Sequence, residues 1–316
     1  MSFEASFLWA RMQNITTRGM KFLDEMNKVL PRDKLTREIE QKIKKAKVWR
    51  PRYSVKTMIK IYFLQQRYNL SDPWVEDAIY DRVSFQKFLD MDILKDKAPD
   101  ESTILLFRRF LEEQRLQERL FKVINQMLVT KWLLLKEWTT VDATIISAPS
   151  STKNEENKRD PEMHSTKKWN NHYFGMKAHV GTDSQSWLIH SVICTSANIH
   201  DSKMMDQLLH WEEQVLYGDS AYMSEEKRKF YNKLWVAYHV CRRWTRYKKL
   251  DQWDKRINRI FSEVRAKWEW AFGVIKNQRK HRKVRYRWIY KNWMQRYILA
   301  ALSNIYMVRK RLLITS

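Results

Sequence analysis

The feature that most limits what this chain can fold into is a change of pattern near residue 138. Before it, apolar residues recur at helical spacing. From Thr139 to Ser147 the run Thr-Thr-Val-Asp-Ala-Thr-Ile-Ile-Ser is rich in β-branched and short side chains, and Pro149 closes it, so a strand is predicted. Side chains alternate along a strand, which puts Val141, Ala143 and Ile145 on one face and Thr140, Asp142 and Thr144 on the other. A carboxylate in the middle of a core strand is costly unless a bound cation or a neighbouring Arg or Lys compensates it. The rest of the chain must supply that partner.

Charge narrows the class. Sixty Lys and Arg stand against 36 Asp and Glu, a net charge of +24. Such an excess repels itself, and a polyanion offsets it. Nucleic acid is the leading partner and an anionic membrane surface the weaker one. No apolar run reaches the ~18 residues of a membrane span, and the first residues lack the basic-then-apolar pattern of a signal peptide. Cys194 and Cys241 have no metal-type spacing and a disulfide framework is not expected in a chain this long, which points to a reducing compartment. No glycine-rich phosphate loop precedes a helix, so ATP use is not indicated.

Glycine is scarce and tryptophan abundant: 5 against 15, where ordinary usage of ~7% gives roughly 22 glycines. Trp132 and Trp235 fall where a helix ends and a strand approaches, a junction that takes glycine for its left-handed geometry. Trp187 follows Thr-Asp-Ser-Gln-Ser in a hairpin loop, another glycine position. A UGA codon that some bacterial lineages read as glycine, rendered here as tryptophan, would account for both anomalies; an unusually tryptophan-rich protein is the alternative.

Residues 1–135 are expected to form a helical DNA-binding domain. Ser54–Tyr68 has helical spacing, Ser71-Asp-Pro opens a helix with a cap and an early proline, and Ile104–Glu113 and Leu116–Lys131 are amphipathic. A basic string, Lys42, Lys44, Lys45, Lys47, Arg50 and Arg52, precedes these helices, as in helix-turn-helix modules that grip phosphates; a bundle that only packs is the alternative. Residues 136–316 are expected to be α/β with C-terminal basic helices. A hairpin joins Tyr173–Thr182 to Trp187–Ser196, and strands follow at Gln214–Tyr217 and Val236–Val240. Helices are predicted through Met205–Trp211, Glu225–Leu234 and Asp254–Asn277, and from about Lys291 to Leu313. Lys153–Lys168 is expected to be a polar loop.

Three carboxylates stand out by context. Asp142 lies mid-strand. Asp219 follows the strand Val215-Leu-Tyr-Gly, where ligands gather in such sheets. Glu269 lies on the long helix beside the apolar stripe Ile257, Phe261, Val264, Trp268, Ala271 and Ile275, in line with Arg265 and Lys276. Three acids without a Cys or His pairing suit a hard cation, Mg²⁺ or Mn²⁺. Two such ions would bracket an in-line attack on a phosphodiester, with Arg265 and Lys276 on the phosphates. Taken singly, Asp142 is equally a hydrogen-bonded core acid, Asp219 a turn former and Glu269 a partner of Arg265.

Val141-Asp-Ala-Thr-Ile-Ile-Ser-Ala-Pro-Ser-Ser, Tyr217-Gly-Asp-Ser-Ala-Tyr and the set Arg265, Glu269 and Lys276 resemble the three blocks of the DDE transposases of bacterial insertion sequences, specifically the "insertion sequence five" group. The similarity extends to Tyr173-Phe-Gly-Met-Lys-Ala-His, Ala197-Asn-Ile-His-Asp, Val284-Arg-Tyr-Arg, Asn69-Leu-Ser-Asp-Pro and Ala98-Pro-Asp-Glu-Ser-Thr-Ile-Leu. The resemblance implies an RNase H-like mixed sheet flanked by helices after an all-helical N-terminal domain. It implies Asp142, Asp219 and Glu269 as catalytic metal ligands, and an oligomer acting on terminal inverted repeats and target DNA. Where a Tyr precedes the Arg in the related signature, this chain has Ser262. Where the family pattern has glycine, Trp49, Trp74, Trp132, Trp138, Trp169, Trp187 and Trp235 stand here.

The resulting expectation is a transposase that cleaves DNA at element ends and transfers strands with two divalent ions. A catalytically silent DNA-binding derivative and an RNase H-like nuclease without strand transfer are the alternatives. Lys177, which shares a strand face with His179, and the basic run Lys276, Arg279, Lys280 and Arg282 are the expected DNA contacts beside Arg265, with a solvated sheet face and a solvated basic tail as the alternatives. The histidines His164, His172, His179, His190 and His200 lack a zinc-type spacing.

Overall fold

The computed structural model describes residues 16–43, 53–153, 155, 157–168, 170–244, 249–266, 273–278 and 281–314. The basic string from Lys44 to Arg52, Glu269, Arg279, Lys280, Trp49 and Trp169 therefore lie outside the described residues. The chain divides into two compact units. One comprises the described residues up to Phe110 together with those from Ile305 onward, and the other runs from Leu111 to Asn304.

The first unit is helical: Arg18–Val29, Arg32–Ile43, Val55–Tyr68, Asp72–Asp81, Val83–Leu89 and the start of Glu101–Glu113, joined by the end of the last helix, Ile289–Ile314. Ser54 and Ser71 cap their helices as their sequence positions predict, each accepting a backbone N–H three residues on. Met26, Ile39, Met58, Ile61, Val75, Ile79, Phe85 and Phe107 fill the core. One buried charge is compensated within it: Lys60 reaches Asp90 at 2.5 Å, the pairing a buried ammonium requires.

The second unit is built on a six-stranded mixed sheet: β1 (Trp138–Ser147), β2 (His164–Lys168), β3 (Asn171–Asp183), β4 (Ile189–Ser196), β5 (Val215–Gly218) and β6 (Ala237–Val240). The strand order is β2-β3-β1-β5-β6, with β4 also on β3. β1, β3 and β4 are antiparallel neighbours, whereas β5 and β6 run parallel to β1. Three antiparallel strands followed by two parallel crossovers, with helices on the faces, is the RNase H-like arrangement. It is the α/β fold expected.

Both faces are covered, which is why β1 is apolar on alternate sides. Val141 packs with Met205, Leu208, Leu216, Tyr222, Tyr231, Tyr238 and Val240. Ile146 packs on the other face with Met163, Met176, Ala178 and Cys194, against Trp293 of the last helix. Asp142, Thr144 and Ile146 share that second face, opposite Val180, Ala178 and Met176 of β3.

Three local expectations change. The helix predicted through Met205–Trp211 stops at Leu208, and Trp211 has a left-handed backbone. The polar stretch Lys153–Lys168 ends in strand β2, because His164–Lys168 pairs in register with Asn171–Gly175; backbone pairing does not require apolar side chains. The long helix is described as Gln252–Ala266 followed, after residues outside the description, by a π-turn at Val274–Gln278.

Trp132, Trp187 and Trp235 all have positive φ, at 57°, 63° and 60°, as do Trp211 and Trp288 at 67° and 77°. Half of the ten non-glycine residues with positive φ among those described are thus tryptophans, whose Cβ and ring make this region costly. Trp74 and Trp138 lie instead in a helix and a strand, where no glycine geometry is needed. Trp132 and Trp235 are 83% and 93% exposed, so no packing offsets their backbone strain. Trp132→Gly and Trp235→Gly are each expected to raise stability by about 1 kcal/mol in urea denaturation. Unchanged or lower stability would show that the left-handed backbone is not strained there.

Candidate active site

Asp142 and Asp219 are brought together by strand register. The last paired residues of the parallel strands β1 and β5 are Thr140 and Tyr217, and each aspartate lies two residues further along its own strand direction. The two carboxylates therefore reach the same level at the carboxyl end of β5, where a parallel sheet opens to ligands. Asp142 is half-buried, and desolvation, followed by the charge of Asp219, pushes its pKa up to about 7. The forces opposing that rise are few. Its Oδ1 accepts the Ala143 N–H at 2.5 Å, and Arg265 Nη2 lies 3.6 Å from its Oδ2. Asp219 Oδ1 accepts the Ala221 N–H at 2.8 Å and so starts the short turn Ser220–Tyr222. The turn-forming role open to Asp219 is present, and it also fixes the carboxylate beside Asp142.

Two cations approach on the Asp142 face. Arg265, at the end of Gln252–Ala266, also directs Nη1 toward Cys241 Sγ at 3.8 Å. Lys276, in the π-turn, donates from Nζ to Thr144 Oγ1, two residues along β1 from Asp142. Burial lowers the Lys276 pKa, and the positive charges of Lys168, Arg296 and Arg282 lower it further. Arg282 is exposed. Ser262, at the position of the related signature's Tyr, has its hydroxyl 3.9 Å from Cys241 Sγ.

Lys177 and His179 sit opposite Ile145 and Ala143 in the β1–β3 register, on the other face of the sheet from Asp142. Lys177 Nζ pairs with Asp201 at 2.9 Å and donates to the Ile199 carbonyl at 2.8 Å. His179 Nε2 lies 2.8 Å from Thr195 Oγ1, and burial lowers its pKa to about 4, so the ring is neutral near pH 7. His200 caps the turn at Asp201–Lys203, its Nδ1 accepting the Ser202 N–H at 3.3 Å.

Sequence reasoning left three residues of this region without a role. The charge of Asp201 reaches Asp142 and adds to the rise of its pKa. Tyr222 is fully buried beside the same acids, and burial with the charges of Asp142, Asp201 and Asp219 holds its phenol protonated. Thr144 anchors Lys276. Asp201 and Tyr222 lie in segments singled out by resemblance, in the short turns Asp201–Lys203 and Ser220–Tyr222 that the fold brings near Asp142.

The donor chemistry fits a hard divalent cation. Burial, with the charge of Asp219 added to it, brings Asp142 to about half-protonation at neutral pH, and a cation between the two carboxylates would favour the ionised form. Among the described residues no group of three or more His, Cys, Asp or Glu side chains is placed to hold a metal. The described residues thus supply a pair of acids, and Glu269 lies outside them.

An RNase H-like sheet carrying one aspartate inside its first strand and another just past the adjoining parallel strand defines a scaffold suited to phosphodiester chemistry. Residues 135–305 match the transposase DDE domain family, and residues 11–110 match a transposase domain family (DUF772). The first match spans more than half of the chain, and the chain belongs to that family. It is a DDE transposase of insertion-sequence type, a polynucleotidyl transferase that acts on DNA. No helix among the described residues is long and apolar enough to cross a membrane.

The raised pKa sets a pH dependence for the metal-free protein. Because the folded value exceeds the unfolded value of about 4, the contribution of Asp142 to folding is full below about pH 4. It is lost as pH rises through about 7. In EDTA, the wild-type Tm is expected to fall more steeply than that of Asp142→Asn between about pH 5 and about pH 8. Parallel Tm profiles would contradict the assignment.

Proposed function

We propose that this transposase, of the "insertion sequence five" group, cleaves DNA at the ends of its element and joins them to target DNA by successive in-line displacements. The observation that carries this reading is the register-matched pair Asp142 and Asp219 with the cations of Arg265 and Lys276 beside it. Asp142, Asp219 and, by resemblance, Glu269 would hold two ions of Mg²⁺ or Mn²⁺. When bound, such ions supply a nucleophile at neutral pH and neutralise charge on the leaving oxygen.

The chain's own residues do the positioning. Arg265 and Lys276 bind non-bridging phosphate oxygens next to the acids, and Thr144 keeps the Lys276 ammonium aimed along the Asp142 face. The protonated Tyr222 phenol adds no charge beside the acids. In the first displacement water attacks the phosphodiester at the element end and frees a 3′ hydroxyl. In the second that hydroxyl attacks a target phosphodiester and displaces a target 3′ oxygen. One phosphoester bond forms for each one broken, so no nucleotide hydrolysis is needed.

Arg279, Lys280 and Arg282 extend the DNA-contacting surface, with Lys177 as a further contact on the opposite face. The helical region 1–135 serves as the DNA-binding domain, and 136–316 as the catalytic domain. The protein works as a homo-oligomer on inverted repeats in the bacterial cytoplasm, at the nucleoid.

In a plasmid carrying the element ends, Mg²⁺-dependent nicking is expected to fall at least about a thousandfold in Asp142→Asn, since metal-held charge stabilisation is worth several kcal/mol. Pre-cleaved ends are expected to give joined product with a target plasmid. Nicking without joining would assign a nuclease, and binding without nicking a silent DNA-binding derivative.

A further inference from the structure

We propose that the β2–β3 hairpin is a DNA-gripping ribbon that holds duplex beside the two aspartates. This deepens the transposase reading and rests on it. β2 stands at the end of the strand order and, among the described residues, pairs with β3 alone. His164, Ser165, Lys167 and Lys168 are exposed, as are Asn171 and His172 across the turn. Lys168 is paired with Asn171, and Lys167 with His172. From Met163 to Thr182 the sequence carries no carboxylate.

Lysines on an edge strand also discourage unwanted strand pairing, and that explanation would leave them dispersed. Here Lys168 lies close enough to disfavour the charge on Lys276, in a region that already holds Arg282 and Arg296. Gathering like charges is unfavourable unless a polyanion occupies the place.

The ribbon is anchored so that its position relative to Asp142 is set. The Ala148 N–H donates to the Phe174 carbonyl at 2.8 Å. Gly175, at φ 156°, has no room for a Cβ, which would meet the Ile146 carbonyl oxygen at 2.2 Å. The hairpin therefore leaves the sheet where β1 ends, five residues past Asp142. Beside its root Arg159 lies over the Phe174 ring at 5.4 Å and lines a cavity of about 220 Å³ together with Lys158, Arg285 and Arg287. The acids next to that cavity are already engaged: Asp160 accepts the Trp288 N–H and Glu162 the Ile289 N–H. Two-stranded ribbons fit the major groove, where lysines meet phosphates and Asn or His side chains meet base edges.

The test is fluorescence anisotropy with a short labelled B-form duplex in EDTA, across a salt series. Against wild type, Lys167→Ala/Lys168→Ala is expected to weaken binding about tenfold and to reduce the salt slope by about 2. Lys167→Arg/Lys168→Arg is expected to keep both. An unchanged affinity and slope in the alanine variant, with wild type binding normally, would overturn the ribbon alone. Failure of wild type to bind duplex in a salt-dependent way would instead overturn the DNA-processing reading. Both variants are exposed substitutions, and an unchanged Tm separates loss of contacts from loss of fold.

A different observation carries a second inference. The coincidence of tryptophan with left-handed backbone at residues 132, 187, 211, 235 and 288 and the low glycine count lead us to infer that these positions are glycines in the protein made by its source organism, through a UGA codon read as glycine. Peptide mass spectrometry of protein isolated from that organism is expected to return glycine at all five. Tryptophan at these positions would overturn the inference.

Discussion

Two like-charged side chains held at one level of a sheet are the constraint on which the rest of the site depends. Asp142 cannot leave its place without breaking β1, which is paired with β3 over nine residues. Asp219 is fixed by its own bond to the Ala221 N–H. Their repulsion is built in by register, and it is only partly offset by Arg265 at 3.6 Å. A fold that holds two acids this way gains nothing in stability from them. It gains a place where a hard cation is favoured, and where a phosphodiester can be neutralised from both sides.

The surroundings sharpen that division of charge. His179 is kept neutral by burial, and Tyr222 is held protonated by burial and the neighbouring acids. Lys177 and Asp201 satisfy each other across the sheet from Asp142. The Asp142 face is left to the cations Arg265 and Lys276, the second held by Thr144. Negative charge is concentrated between the strand ends and positive charge around it, the pattern expected where an anionic backbone is drawn to a metal-binding centre.

Much of this is legible in the amino-acid sequence. The change from helical to alternating periodicity at residue 138 located the sheet, because β-branched residues and a closing proline mark a strand. The aspartates at 142 and 219 stood out as charges at positions where charge is costly. Trp132, Trp187 and Trp235 pointed to left-handed backbone from turn chemistry alone, and all three have it. Strand β2 was not legible, since His164–Lys168 is polar on both sides and is a strand only through its pairing with β3. Nor was the split of Lys177 and Asp142 to opposite faces, which needs the cross-strand register as well as the alternation within each strand. Asp201 is not legible as a neighbour of Asp142, because its electrostatic role depends on contacts distant in sequence.

The account rests on Asp142 and Asp219 sensing each other's charge, and carbon-detected NMR titration of the Asp142 carboxyl in metal-free protein measures that directly. In Asp219→Asn the Asp142 pKa is expected to fall below about 7, while burial, the larger cause, still holds it well above the ordinary carboxylate range. An Asp142 pKa that is the same in wild type and Asp219→Asn would mean that the two acids do not form one site.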